Sequence, residues 1–390
     1  NSWTILLILF LNIMSSSLSR IPYVNLQAQW QEDQDDLLPI IEKVLSGGQY
    51  VGGEELGKFE ENIAKFCGVK YATALNSGTD ALIFALRLSG IGQGDEVITP
   101  PNSFISSTAA IVCLGAIPVF VDVLPNQNID SSKIEEAITK KTKAIMPVHL
   151  TGRMCDMDSI IKIAKKNNLV VIEDAAQAIG SKYKGRPSGS IGDIGCFSTH
   201  PLKNLNGCGD GGFLTTNDEN IYLEAITLRN HGMVNRNVVD KFGYVSRMDN
   251  IQAAILNYRL GKLDSIIQKR RKNAKAYFEG INGDSINLLE EKDFEYNTYH
   301  TFVIQTKQRD KLKEYLSINE VETAIHYPIP IHMQPASQHL GYKGGDFPIA
   351  EKQAQHIITL PINQSLKEIE IERIINLVNK FDRRYIKCLK

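Results

Sequence analysis

The chain has 390 residues, 43% hydrophobic and 22% charged, which is enough apolar material for a large packed core and too few charges for a disordered chain. Lys+Arg 43 against Asp+Glu 44 leave a formal net charge of −1, so no global positive field exists to hold a nucleic-acid backbone or an anionic membrane, and neither is expected as a partner. The six cysteines, at 67, 113, 155, 196, 208 and 388, form no CxxC pair and have no histidine at metal-ligand spacing; reduced thiols in a cytoplasmic protein are expected, with no disulfide framework and no metal site.

The first stretch, Asn1 to Ile13, is uncharged and holds an unbroken apolar run from Ile5 to Leu11, shorter than the roughly 20 residues a spanning helix needs. No basic segment precedes it and no clear small-x-small cleavage pattern follows, while Met14 stands directly before the polar SSSLSR. We expect residues 1–13 to be translated upstream sequence, with a secretory signal as the alternative, and residues 1–20 to lie outside the core.

From Gly47 onward turn signals, helical patterns and short β-branched runs alternate. Phe59, Ile63 and Phe66 share one helix face. A strand is expected at 71–75, then the turn Asn76-Ser77-Gly78, then a helix over 79–88. Strands are expected at 96–99, 117–121, 143–148 and 169–173, alternating with helices around 104–114, 131–139 and 157–166. This rhythm implies βαβ crossovers and a mainly parallel sheet covered on both faces, an α/β fold. Beyond about residue 250 the order changes to a long helix over 251–279, strands near 299–305 and a helix near 366–381. The chain therefore divides into a large α/β domain over 21–250 and a smaller α+β domain over 251–390.

In a parallel sheet, ligand groups come from the carboxyl ends of strands. Three segments fall there. Asn76-Ser77-Gly78-Thr79 joins a strand to a helix, where free N–H groups and the helix dipole favour a phosphate; an ordinary capped turn is the alternative. Glu173-Asp174-Ala175-Ala176-Gln177 follows an apolar strand, and Asp174 either caps a helix or faces a cation, since a buried carboxylate needs a partner. Lys203 follows a strand in a stretch poor in other charge. A lysine is usually a solvated surface group, but in a dry, partly cationic pocket its neutral amine can form a Schiff base with a carbonyl. Gly207-Cys208-Gly209-Asp210-Gly211-Gly212 satisfies G-x-G-x-x-G as text, yet a strand (FLTT) follows it where the dinucleotide fingerprint needs a helix.

Together the three segments offer an anion cradle, a carboxylate for a pyridinium nitrogen and an amine for an aldehyde, the set that pyridoxal 5′-phosphate (PLP) requires. With GGQYVGGEELGKFE (47–60), NSGTDAL (76–82), GDEVITPPNSFISST (94–108), PVHLTG (147–152), EDAAQAIGS (173–181), FSTHPLKNLNGCGDGG (197–212), LRNHG (228–232), SRMDNIQAA (246–254) and HYPIPIHMQP (326–335) in order, the chain resembles the sugar aminotransferases of the DegT type from about Ile21 to its C-terminus. These are PLP enzymes of fold type I.

The resemblance implies a nucleotide-linked keto sugar and an amino-acid donor, L-glutamate, as substrates. It also implies a homodimer with active sites at the interface. By the same resemblance Lys203 is the Schiff-base lysine and then the proton-transfer base, and Asp174 holds the pyridine nitrogen protonated. Gln177 bonds the cofactor's phenolic oxygen, Phe104 stacks on the ring, and Gly78, Thr79 and Ser198 bind the phosphate. Arg247, His326, Tyr327 and His332 are candidate sugar contacts; packing of the small domain is an equal alternative for the last three.

Two departures stand out. His200 occupies a position where several relatives have an aromatic residue, and Val245 one where relatives often have an asparagine reaching the phosphate of the partner subunit's cofactor. A related branch replaces the lysine by histidine and dehydrates sugars, so Lys203 argues for transamination. A PLP-binding regulatory protein without turnover is the remaining alternative, and it has no use for the amine.

Overall fold

The structure, a computed structural model, describes residues 19–389; the expectation for residues 1–13 falls outside them. Seven strands form the central sheet: β1 (Tyr71–Leu75), β2 (Glu96–Thr99), β3 (Ile117–Phe120), β4 (Thr142–Ile145), β5 (Val170–Asp174), β6 (Ile194–Ser198) and β7 (Gly212–Thr216). Their order is β1-β7-β6-β5-β4-β2-β3. β3, β2, β4, β5 and β6 pair in parallel, whereas β7 runs antiparallel to both its neighbours.

Because successive strand side chains point to opposite faces, each apolar strand feeds two cores. Leu75, Val97, Ala144, Ile172 and Leu214 face the cluster built around Leu82 and Leu86. These two belong to α3 (Gly78–Leu88), which follows α1 (Leu26–Gly47) and α2 (Glu54–Cys67). On the opposite face Phe197 and Phe213 stack on each other at 4.6 Å and pack with Phe59 and Ile63 of α2. Ile145 and Val171 meet Ile160 there, on α5 (Met157–Asn167), after α4 (Ile105–Cys113). The expectation of an α/β fold with a large, mostly parallel sheet is met.

After α6 (Glu219–Leu228), the 31-residue helix α7 (Asn250–Gly280) passes from one core to another. Its Leu256, Leu263 and Ile267 pack with α2, whereas Ala274 and Tyr277 belong to a separate cluster. That cluster draws on the antiparallel pair β8 (Phe302–Gln305) and β9 (Ile357–Leu360), on α8 (Arg309–Ile318), and on α10 (Glu368–Leu389), which follows α9 (Pro348–His356). Ile21, near the other end of the chain, is buried in the same cluster.

One expected helix is replaced. Residues 131–139 form two short 3-10 turns, 131–133 and 135–137, because Asp130 Oδ1 accepts from both Ser132 N–H (3.1 Å) and Ser132 Oγ (2.6 Å), a local bond that competes with helix continuation. Among the described residues no helix is long and apolar enough to cross a membrane.

Candidate active site

The carboxyl ends of β5 and β6 and the start of α3 open onto one cavity of about 440 Å³, within the ~300–1,000 Å³ range of small-molecule sites. Asp174 closes β5. Its N–H donates to Pro147 O and its C=O accepts from His149 N–H, both at 2.9 Å, so the backbone register fixes where the carboxylate points. Ser107 Oγ donates to Oδ2 at 2.7 Å and Ala176 N–H to Oδ1 at 3.2 Å. Burial still pushes the Asp174 carboxyl above the usual carboxylate range, against those two bonds and the charge of Lys203. This is a carboxylate short of a cation. Its neighbour Glu173 projects to the opposite face and is fully occupied there, accepting from Gly189, Ile191 and Gly192 N–H and lying 2.9 Å from His149 Nε2. Of the two acids, only Asp174 faces the cavity.

Lys203 sits on a loop tied by hydrogen bonds to itself, to α1, to α7 and to the segment around Thr298. Its N–H donates to His200 O at 2.8 Å, and Asn204 Nδ2 donates to Thr298 O at 3.1 Å. Asn206 exchanges side-chain bonds with Gln29 of α1 at 2.9 and 3.0 Å, and Arg259 Nη1 of α7 donates to Asn206 O at 2.8 Å. Removal from water lowers the Lys203 pKa to about 8, with Asp174 pulling the other way. A neutral amine is thus accessible near physiological pH.

At the start of α3, Ser77 Oγ accepts from Asp80 N–H at 3.0 Å, capping the helix, while Ser77, Gly78 and Thr79 all line the cavity. Capping uses the hydroxyl and leaves the helix terminus facing the cavity, so the two readings of this turn do not exclude each other. A Cβ on Gly78 would fall 2.6 Å from Ser198 Cβ, and one on Gly212 would fall 2.5 Å from Gly78 N. The last glycine of the G-x-G-x-x-G string therefore lets β7 pack against this turn, a structural duty unrelated to dinucleotides.

Gln177 Oε1 accepts from Thr151 N–H (2.8 Å), and its Nε2 donates to Tyr327 Oη (3.3 Å). The Tyr327 ring lies 6.0 Å from that of Phe104, which is 55% exposed. His200 and His326 also line the cavity. His326 Nδ1 lies 3.1 Å from Thr359 Oγ1, and burial together with the charge of Lys203 lowers its pKa to about 4, leaving it neutral at pH 7.

Three positions singled out in the sequence lie elsewhere. His332 is buried against Phe347 (4.7 Å between rings), with Nε2 3.1 Å from Glu351 Oε1, and Arg247 Nη1 donates to Asn230 Oδ1 at 2.9 Å; neither lines the cavity. For His332 the packing alternative fits its surroundings. Val245 is 56% exposed and pairs through its backbone with Asn230, also away from the cavity of its own chain. Conversely, Tyr23, Arg270, His300 and Asn363 line the cavity without having been singled out. They come from four segments separated by long stretches of sequence, and no local motif marks them.

The sequence matches the DegT/DnrJ/EryC1/StrS aminotransferase family over residues 31–379. The chain belongs to this family. It is 42% identical over 362 residues to the dTDP-3-amino-3,6-dideoxy-α-D-galactopyranose transaminase of Aneurinibacillus thermoaerophilus, covering 93% of this chain and 99% of the relative. It is 38% identical over 369 residues to the "pleiotropic regulatory protein" of Geobacillus stearothermophilus, covering 94% and 99%. Among solved structures it superposes on Streptomyces venezuelae DesV, crystallised in complex with a ketimine intermediate, with a TM-score of 0.91 at 37% identity, covering 94% of this chain and 99% of DesV.

The aminotransferase is PLP-dependent and has the fold type I architecture expected from the sequence. Its residues fit that cofactor. Asp174 is a buried carboxylate lacking a cation, Lys203 is an amine with a lowered pKa, and Gly78 leaves a cradle at a helix N-terminus that a side chain would fill.

Proposed function

We propose that this aminotransferase moves an amino group from an amino acid, L-glutamate in the first instance, to the ketone of a nucleotide-linked deoxysugar. The reading rests above all on the 42% identity to a dTDP-amino-sugar transaminase across nearly the whole of both chains. PLP supplies an aldehyde to receive the amino group and a protonated ring that accepts electron density from the carbon being deprotonated. Lys203 Nζ would hold the cofactor, and its neutral amine would take and return the proton at the substrate carbon. Its tethered loop keeps that nitrogen beside the reacting atoms, so no diffusional encounter is needed.

In this scheme the Asp174 carboxylate keeps the ring nitrogen protonated, and Ser107 and Ala176 N–H keep the carboxylate oriented. Gln177 would bond the cofactor's phenolic oxygen, Phe104 would cover its ring, and the Gly78-Thr79 turn with Ser198 would take the phosphate; all of them line the cavity. His326 and Tyr327 meet the sugar.

The protein works as a cytoplasmic homodimer in this scheme. Support comes from the segment 233–245, which exposes Val234, Val238, Val239, Phe242 (93%) and Val245 to solvent; an apolar strip of this kind marks a protein contact. A purely regulatory role, in the sense of the Geobacillus relative's name, leaves the lowered Lys203 pKa without a use.

Incubating the holoenzyme with L-glutamate and a panel of dTDP-, UDP- and GDP-linked 3-keto and 4-keto sugars tests the assignment. One amino sugar forming in step with 2-oxoglutarate is expected. Consumption of glutamate with no sugar aminated sinks it.

A further inference from the structure

Four arginines are buried among the described residues: Arg153, Arg229, Arg259 and Arg270. Three of them face a carboxylate, on Glu295, Glu60 and Asp33 respectively. Arg270 has no carboxylate within 4 Å among the described residues. An uncompensated buried cation is costly, so its retention at the wall of the cavity calls for an anion that arrives from outside.

The hydrogen bonds of Arg270 define what remains free. Nη1 donates to the carbonyls of Tyr299 and His300, both at 3.2 Å, and Nη2 donates to Gln364 Oε1 at 3.1 Å. Nε is buried and has no acceptor among the described residues. Of the five N–H groups of a guanidinium, the Nε–H and one Nη2–H are therefore unspent, on a fork whose position three protein acceptors fix. His300 Nδ1 is a further buried atom without a partner. His300 lines the same cavity as Lys203, and its backbone carbonyl is one of the acceptors of Arg270.

We propose that Arg270 binds the α-carboxylate of the amino-acid donor, with His300 beside it. This rests on the aminotransferase reading above and names the group that selects the donor. The argument is one of reach. The donor's α-nitrogen must come to the carbon held next to Lys203, and the α-carboxylate is two bonds from that nitrogen, so its site belongs in the same cavity as Lys203. The cofactor phosphate has the Gly78-Thr79 turn, and a sugar's diphosphate lies many bonds from the reacting ketone. A side-chain carboxylate, as in glutamate, is the other source of the same chemistry, and it sits farther from the reacting nitrogen.

The test is the donor half-reaction, followed by the visible absorbance of the cofactor in wild type, Arg270→Gln and Arg270→Lys, with L-glutamate, L-alanine and 4-aminobutyrate. L-Alanine has only the α-carboxylate; 4-aminobutyrate has only the distal one. Losing a charge-assisted pair should raise the half-saturating concentration of L-glutamate and L-alanine in Arg270→Gln by roughly thirty- to a hundredfold, with 4-aminobutyrate unchanged. Arg270→Lys keeps the charge without the fork and should lie between; it carries the test should the glutamine variant not fold. Titration with α-methyl-L-glutamate, which has no α-proton to lose, should show the same loss as weaker binding. The second half-reaction, amine-loaded enzyme with the keto sugar, should keep its KM for that sugar. Half-saturation within about threefold of wild type for both α-amino acids overturns the proposal, as does a loss seen with 4-aminobutyrate and not with L-alanine. An enzyme that consumes L-glutamate but aminates no sugar overturns the sugar assignment and leaves this result standing.

Discussion

The two sides of the cavity are built by different means. On the sheet side Asp174, Ser198 and the Gly78 turn sit at strand ends and at a helix start, so backbone register alone aims them. On the far side Tyr23, Arg270, His300 and Asn363 meet only because α7 crosses between two cores and brings distant segments together. There the side chains serve the fold as well, since Asn363 Nδ2 donates to Pro22 O and Tyr23 O while Arg270 ties down Tyr299 and His300. The difference teaches that substitutions on the sheet side should separate chemistry from folding, whereas those on the far side should mix the two.

Lys203→Ala is the most severe break expected on the sheet side. Turnover and the visible absorbance of the lysine-linked cofactor should both vanish while circular dichroism stays that of the wild type, since the Lys203 side chain makes no hydrogen bond to the protein that the fold would miss. Asp174→Asn comes next. The amide oxygen can still accept from Ala176 N–H while the Ser107 hydroxyl turns to accept from the amide nitrogen, so the thermal midpoint should move little, but the amide cannot keep a ring nitrogen protonated. By analogy with other lost electrostatic stabilisers, turnover should fall by about 10²–10³ or more. Full activity in Asp174→Asn combined with a large stability loss in Asp174→Ala would reduce Asp174 to a structural cap.

Asn206→Ala sharpens the comparison, because this residue only holds the lysine loop. It strips Gln29 of its buried partner and frees the Pro201 carbonyl, which should cost about 1–3 kcal/mol in urea unfolding. An unchanged urea midpoint would show that the loop needs no tether from α1.

A smaller effect concerns pH. With the Lys203 pKa lowered to about 8, the amine loses its proton more readily in the folded protein than in the free chain, where lysine titrates near ~10.4. The neutral fraction climbs from about a tenth at pH 7 to about nine tenths at pH 9, so covalent capture of PLP by the apoprotein should speed up about tenfold over that range and then level off. The same depression means that Lys203 adds stability to the apoprotein as pH rises from the folded to the unfolded pKa. A capture rate still climbing steeply beyond pH 10 would contradict the lowered value.

Val245→Asn is the mildest change. In a dimer of the proposed kind, an amide at this exposed position adds one donor for the partner's cofactor phosphate and should tighten PLP retention by roughly tenfold. Unchanged or faster PLP dissociation would mean either that another group already fills the role or that this loop does not reach the phosphate.

The division between the two sides is also the division between what was legible in the sequence and what was not. Strands at 71–75 and 96–99 and the long helix near 250–280 follow from apolar runs and periodicity, and Asp174 and Lys203 follow from standing where such strands stop. Helix α1 left no comparable signal. It contains Pro39, and its buried face includes Gln29 and Asp33, partnered by Asn206 and Arg259 through contacts that only the folded chain supplies. Arg270 was hidden for the same reason, being one arginine in the basic stretch Lys269-Arg270-Arg271-Lys272. Its neighbour Arg271 pairs with Glu291 at 2.9 Å, and the contrast between the two exists only in three dimensions. For His332 the sequence left sugar contact and packing equally open, and its ring packs on Phe347.

The most direct test of the central claim is to reduce the holoenzyme with borohydride and map the modified peptide by mass spectrometry, with and without prior incubation with L-glutamate. The reduced cofactor should be found on Lys203 alone, and glutamate should strip that label by leaving the amino group on the cofactor and freeing the lysine. A label on another lysine, or a Lys203 label that persists in saturating glutamate, would contradict the assignment of this cavity as a transaminase site.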